Sequence, residues 1–101
     1  MELKTSDEYE QLAIEWQHQM IAILREKLSK FGVENDLAKE IVGEFAFDFA
    51  MLHDQEEIRV NGKPYNSRIV FDDYCGNLIS SEEESNLHVY AFESTSEAYG
   101  E

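Results

Sequence analysis

Apolar residues recur along the first third of the chain at three- and four-residue steps. Tyr9, Leu12, Ala13, Trp16, Met20, Ile23, Leu24, Leu28 and Phe31 form one stripe, with Glu8, Glu15, Gln19, Glu26 and Lys30 off it. Such a period marks an amphipathic helix, here expected over residues 6–31. Thr5-Ser6-Asp7-Glu8 has the form of a capping box, in which the Thr5 hydroxyl accepts from the Glu8 N–H and the Glu8 carboxylate reaches back to the Thr5 N–H. At the other end Gly32 suits the left-handed position that closes a helix, and Val33 can fold back on Leu28.

Asn35 follows as the N-cap of a second helix, expected over residues 36–54. The short connection favours an antiparallel pair. Leu37, Ala38, Ile41, Val42, Phe45, Phe49 and Leu52 make the face assigned to the first helix, which leaves Phe47, Ala50 and Met51 for another neighbour. In the second half of this segment apolar side chains point in every helical direction around one acid, Asp48, as in a helix covered on all sides. Phe45, Phe47 and Phe49 also alternate as a strand would, yet the helical period runs unbroken from Leu37. Gly43 inside this helix costs about 1 kcal/mol relative to Ala, which predicts a close approach of the first helix near Trp16 or Met20.

Beyond His53 the period changes to two. Asn61-Gly62 between Ile58-Arg59-Val60 and Lys63-Pro64-Tyr65 is the signature of a hairpin, because both residues tolerate the positive φ of a type I′ turn. Pro64 lacks an N–H and belongs at a sheet edge. Strands are expected at 57–60, 63–71, 77–80 and 86–92, the last from the alternation of Leu87, Val89 and Ala91 against His88, Tyr90 and Phe92. The expected architecture is α+β: two antiparallel N-terminal helices packed on one face of a three- or four-stranded antiparallel meander sheet. It forms a single domain over 1–93 with a flexible acidic tail at 94–101.

Charge narrows the partners. The chain of 101 residues carries 22 acids against 8 bases, a formal charge of −14, and residues 69–101 hold eight acids with no Lys or Arg. Nucleic-acid phosphates and anionic membranes are bound through basic patches, so direct contact with either is excluded as the leading function. No apolar run approaches the length of a membrane span, and the first eight residues lack the build of a signal peptide, which leads to a cytoplasmic expectation. Cys75 is the single cysteine, so an internal disulfide is impossible.

Little in the chain signals chemistry. His18, His53 and His88 stand at no diagnostic spacing from one another, from Cys75 or from a nucleophile, and Asp72-Asp73 and Glu82-Glu83-Glu84 lack the alternating acids and central Gly of a calcium loop. No catalytic residue, metal ligand or cofactor is therefore assigned. Met1-Glu2-Leu3-Lys4, with Ser6, Asp7, Tyr9 and Glu10, resembles the start of the colicin DNase immunity proteins, a family of small, acidic, cytoplasmic proteins. The resemblance ends at residue 10: the family's toxin-binding helix motif with paired tyrosines is missing, and the Asn61-Gly62 hairpin departs from its all-helical fold, so no residue is carried over.

The leading expectation is a non-enzymatic interaction domain whose acidic face, built from Asp72, Asp73, Glu82, Glu83, Glu84 and Glu93, meets a basic protein surface. An immunity or antitoxin role and a nucleic-acid mimic are its two forms. The alternative is a ligand-binding or enzyme domain with a pocket between the second helix and the sheet, drawing on Phe47, Asp48, Met51, His53, Tyr65, His88 and Tyr90. A homodimer through an open sheet edge or an exposed aromatic face is the third.

Overall fold

A computed structural model describes residues 1–54, 58–81 and 86–100. The elements run β1 (Glu2–Thr5), α1 (Tyr9–Lys30), α2 (Asn35–Asp54), β2 (Ile58–Val60), β3 (Lys63–Tyr65), β4 (Phe71–Asp72), β5 (Asn77–Ser80) and α3 (Leu87–Ala98). The class is α+β, with the two N-terminal helices packed on each other and against a small sheet. Among the described residues no helix is long and apolar enough to cross a membrane.

α1 ends as its sequence dictates. Gly32 takes φ +79°, the Val33 N–H donates to the Leu28 carbonyl at 3.0 Å and the Gly32 N–H to Ser29 at 3.1 Å, the paired bonds of a Schellman motif. Its beginning differs from expectation. Thr5 closes strand β1, and the Glu8 N–H donates to the Ser6 hydroxyl at 3.1 Å, so the expected capping box is not formed. α2 is likewise capped by Glu34 rather than by Asn35: the Asp36 N–H donates to the Glu34 carboxylate at 3.1 Å, and the Ala38 N–H to the Glu34 carbonyl at 2.8 Å.

The strands form two sheets instead of one meander. β2 and β3 pair antiparallel as a hairpin of their own, with Asn61 at φ 53° and Gly62 at φ 78° in the turn and Pro64 opposite Arg59. The other sheet has the order β1-β5-β4, with β1 parallel and β4 antiparallel to the central β5. The strand expected at 63–71 is thus two strands in different sheets, separated by residues 66–70. Of the strand expected at 57–60, residue 57 lies outside the described residues, and 77–80 is found as expected.

The largest correction is α3. Residues 86–92, read as a strand, begin a helix that continues to Ala98, through most of the segment read as a flexible tail. Leu87, Ala91, Ser94 and Thr95 are buried at helical steps, whereas Val89, which a strand would place beside Leu87 and Ala91, is 63% exposed. Ile21, Val42, Ala46 and Ala91 form a three-helix core, while Tyr9, Ala13, Ala50, Ile79 and Leu87 join the helices to the sheet. Gly43 accordingly faces α3 and not α1: a Cβ there would lie 3.0 Å from the Phe92 ring.

Candidate functional site

α2 divides into two faces. Ala38, Val42, Gly43, Ala46, Ala50 and Asp54 are buried. On the other side Asp36, Glu40, Glu44 and Asp48 are exposed at four-residue steps, and residues four apart are neighbours on a helix surface. Beside this acid row runs an apolar one, with Leu37 51%, Ile41 37% and Phe45 45% exposed. The sequence pattern assigns these three to the contact with α1. The small side chains of Ala38, Val42 and Ala46 fill the core instead, and the larger ones are left at the surface.

The apolar row reaches α1 through stacked rings. Phe45 lies on Phe49 at 5.4 Å and Phe49 on Trp16 at 5.9 Å between centroids. Ile23, two turns from Trp16 and on its side of α1, is 58% exposed. On the far side of the acid row, Asp36, Lys39, Glu40 and Glu44 line an open groove with Phe92, Thr95 and Ser96 of α3.

A second cluster lies inside, where α2 ends against the start of α3. Asp54 is fully buried, and its Oδ2 accepts from the His88 backbone N–H at 2.9 Å and stands 2.6 Å from His88 Nδ1. The carboxylate therefore caps α3 from a distant part of the chain and fixes the His88 ring, against which Phe47 stands edge-on at 5.9 Å. Asp54 Oδ1 is buried with no hydrogen-bond partner among the described residues. Gln17 supports the same junction: its Nε2 donates to the Leu87 carbonyl at 3.0 Å, and its Oε1 accepts from the Ser94 hydroxyl at 3.0 Å. A carboxylate holding a histidine can orient a general base, but here the same oxygen is also spent on a helix terminus. Neither Asp54 nor Gln17 was singled out from the sequence as a buried polar residue, since both follow the helical pattern as ordinary polar positions.

The residues proposed for a pocket do not form one constellation. Phe47 and His88 meet, and Asp48 is exposed. Met51 is half-buried in α2, and Tyr65 is 55% exposed on the hairpin. Tyr90 donates to the Glu10 carboxylate of α1, a bond that raises the Tyr90 pKa. His53 lies apart from His88 in its contacts, edge-on to Phe49 at 4.9 Å and to Trp16 at 6.2 Å. Its Nδ1 is 3.0 Å from the Ser67 hydroxyl. Because that hydroxyl gives its hydrogen to the Leu52 carbonyl at 3.2 Å, it accepts from His53, which places the proton on Nδ1. Partial burial lowers the His53 pKa, with the Asp54 charge opposing.

The expected acidic face is partly structural. Asp73 accepts from Asn77 Nδ2 at 2.9 Å, from the Cys75 N–H at 2.7 Å and from the Asn77 N–H at 3.2 Å, and these donors lower its pKa. Asp72 accepts from the Tyr74 N–H at 2.8 Å. Both carboxylates therefore build the turn that carries Tyr74 at φ 60° and Gly76 at φ 90°. Glu93 is exposed on α3, while Glu82, Glu83 and Glu84 lie outside the described residues. Among the described residues no group of three or more His, Cys, Asp or Glu is arranged to hold a metal ion. Comparisons with protein-family models, curated proteins and solved structures find no match to this chain.

Proposed function

We propose that this protein is a small, non-enzymatic interaction domain that binds a basic protein surface. The observation that carries this reading is charge: −14 on 101 residues, with exposed acids on all three helices, among them Glu10 and Glu15, Glu40 and Glu44, and Glu93 and Glu97. Fields of this size speed encounter with cationic partners and reject anionic ones. An inhibitor of a basic toxin and a mimic that occupies a nucleic-acid-binding protein are the two forms such a domain takes. The test is salt. A partner captured on the immobilised chain should be released between low and high ionic strength, and exchange of Glu82, Glu83 and Glu84 for Lys should weaken capture while the fold is kept. Affinity that does not change with salt removes the electrostatic reading.

A second reading, a ligand-binding or enzyme domain centred on His88, is favoured by the Asp54 carboxylate that fixes its ring. Thermal-shift screening separates the two. A small molecule that raises the melting temperature of the native chain and leaves His88→Gln unmoved would support the ligand domain.

A further inference from the structure

We infer that the outer face of α2 is the docking surface for a basic amphipathic helix of a partner protein; this rests on the acidic-binder reading and assigns its site. Two rows at helical spacing carry the inference. Leu37, Ile41 and Phe45 form an apolar row left 37–51% exposed, and Asp36, Glu40, Glu44 and Asp48 run along one side of it. A partner helix recognised in a shallow groove offers anchors at i, i+3 or i+4 and i+7, about one per turn, as the apolar row at 37, 41 and 45 also does. The acid row sets its flank: Lys or Arg beside the anchors would meet four carboxylates that lie at the edge of the face and in solvent.

Charge also selects against the other occupants. A second copy would bring another −14 to the interface, and an anionic membrane surface would meet the acid row with like charge. The stacking of Phe45 on Phe49, and of Phe49 on Trp16, gives the partner's anchors a preformed aromatic floor, so little side-chain ordering is needed on this side.

The test uses the full chain, isotope-labelled, titrated with a synthetic helical peptide that has Leu at the anchor positions and Lys on the flanks. A peptide with Glu in place of Lys is the control. The Lys peptide should bind, the Glu peptide should not, and amide shifts should centre on residues 37–48. Leu37→Ser with Ile41→Ser should weaken the Lys peptide by about tenfold, the scale of truncated interface anchors. Glu40→Gln with Glu44→Gln should flatten the salt dependence of what remains. All four positions are exposed, and circular dichroism of the variants checks that the fold is kept.

Shifts centred on another element, or unaltered binding by the variants, overturn the α2 site, and binding that still falls with salt in those variants leaves the acidic-binder reading standing. Failure of the Lys peptide to bind, or equal binding of the Glu peptide, also overturns the site. Sedimentation of the chain alone as a dimer that Leu37→Ser dissociates would identify a second copy as the occupant, and equal binding to anionic vesicles would identify a membrane; either result overturns the inference.

Discussion

Asp54 shows how much one side chain can hold together. It is the last residue of α2, yet its Oδ2 satisfies the first turn of α3 through the His88 N–H. Removing a helix cap costs about 1 kcal/mol, and leaving buried donors unsatisfied costs about 1–3 kcal/mol more. Asp54→Ala should therefore lower stability by about 2 kcal/mol or more in urea unfolding, with Asp54→Asn intermediate because its carbonyl still accepts from the His88 N–H. His53 makes a separate prediction about pH. Its folded pKa lies below the ordinary 6.5, so the native state favours the neutral ring. The contribution is fully present above pH 6.5 and is lost as pH falls through the lower folded value. Unfolding free energy measured between pH 7.5 and pH 5 should fall more steeply for the native chain than for His53→Gln. The effect is small because the ring is only partly buried.

At the level of elements, Gly43 and Phe92 test the packing of α2 on α3. A Cβ at residue 43 would gain about 1 kcal/mol of helix propensity but would press on the Phe92 ring at 3.0 and 3.1 Å. Phe92 is half exposed and can move only by giving up its stack on Phe47 at 5.7 Å. Gly43→Ala alone should be near neutral, whereas in a Phe92→Ala background the same change should stabilise by about 1 kcal/mol, a coupling that a double-mutant cycle reads directly. The two long helices, the hairpin and β5 were legible because each carries its own local signal: many turns of period, an Asn-Gly turn, or an apolar pair bounded by turn residues. α3 was not, for two physical reasons. Its first residues fit period two as well as period 3.6, and its cap comes from Asp54, 34 residues earlier. β1 has four exposed residues and is held as a strand by pairing with β5 at the other end of the chain. Among the acids of α2 the sequence pattern singles out only Asp48; the significance of the whole row depends on Leu37, Ile41 and Phe45 being outside, and that is decided by which side chains fit between three helices.

For the whole molecule, the balance of charge sets a cost that the fold must carry in the absence of a partner. The protein measures 43 × 36 × 22 Å. At about 0.01 M salt the screening length is about 30 Å, so charges on opposite sides repel, while at about 0.15 M it is about 8 Å and only neighbours do. With a formal −14, added salt should therefore raise the melting temperature, and a gain of about 1 kcal/mol would appear as roughly 4–8 °C in a domain of this size. The row on α2 should account for part of it, since each like-charge pair at i,i+4 destabilises a helix by about 0.2–0.5 kcal/mol. Asp36, in the first turn, is the member of the row that the helix dipole favours. Glu40→Gln with Glu44→Gln should raise the melting temperature at low salt and reduce its salt dependence, measured by calorimetry on the chain alone. The same pair of changes weakens the proposed docking of a basic helix, so stability and binding should move in opposite directions. A solvating role for these acids predicts instead that the melting temperature rises in the same way while peptide binding stays where it was.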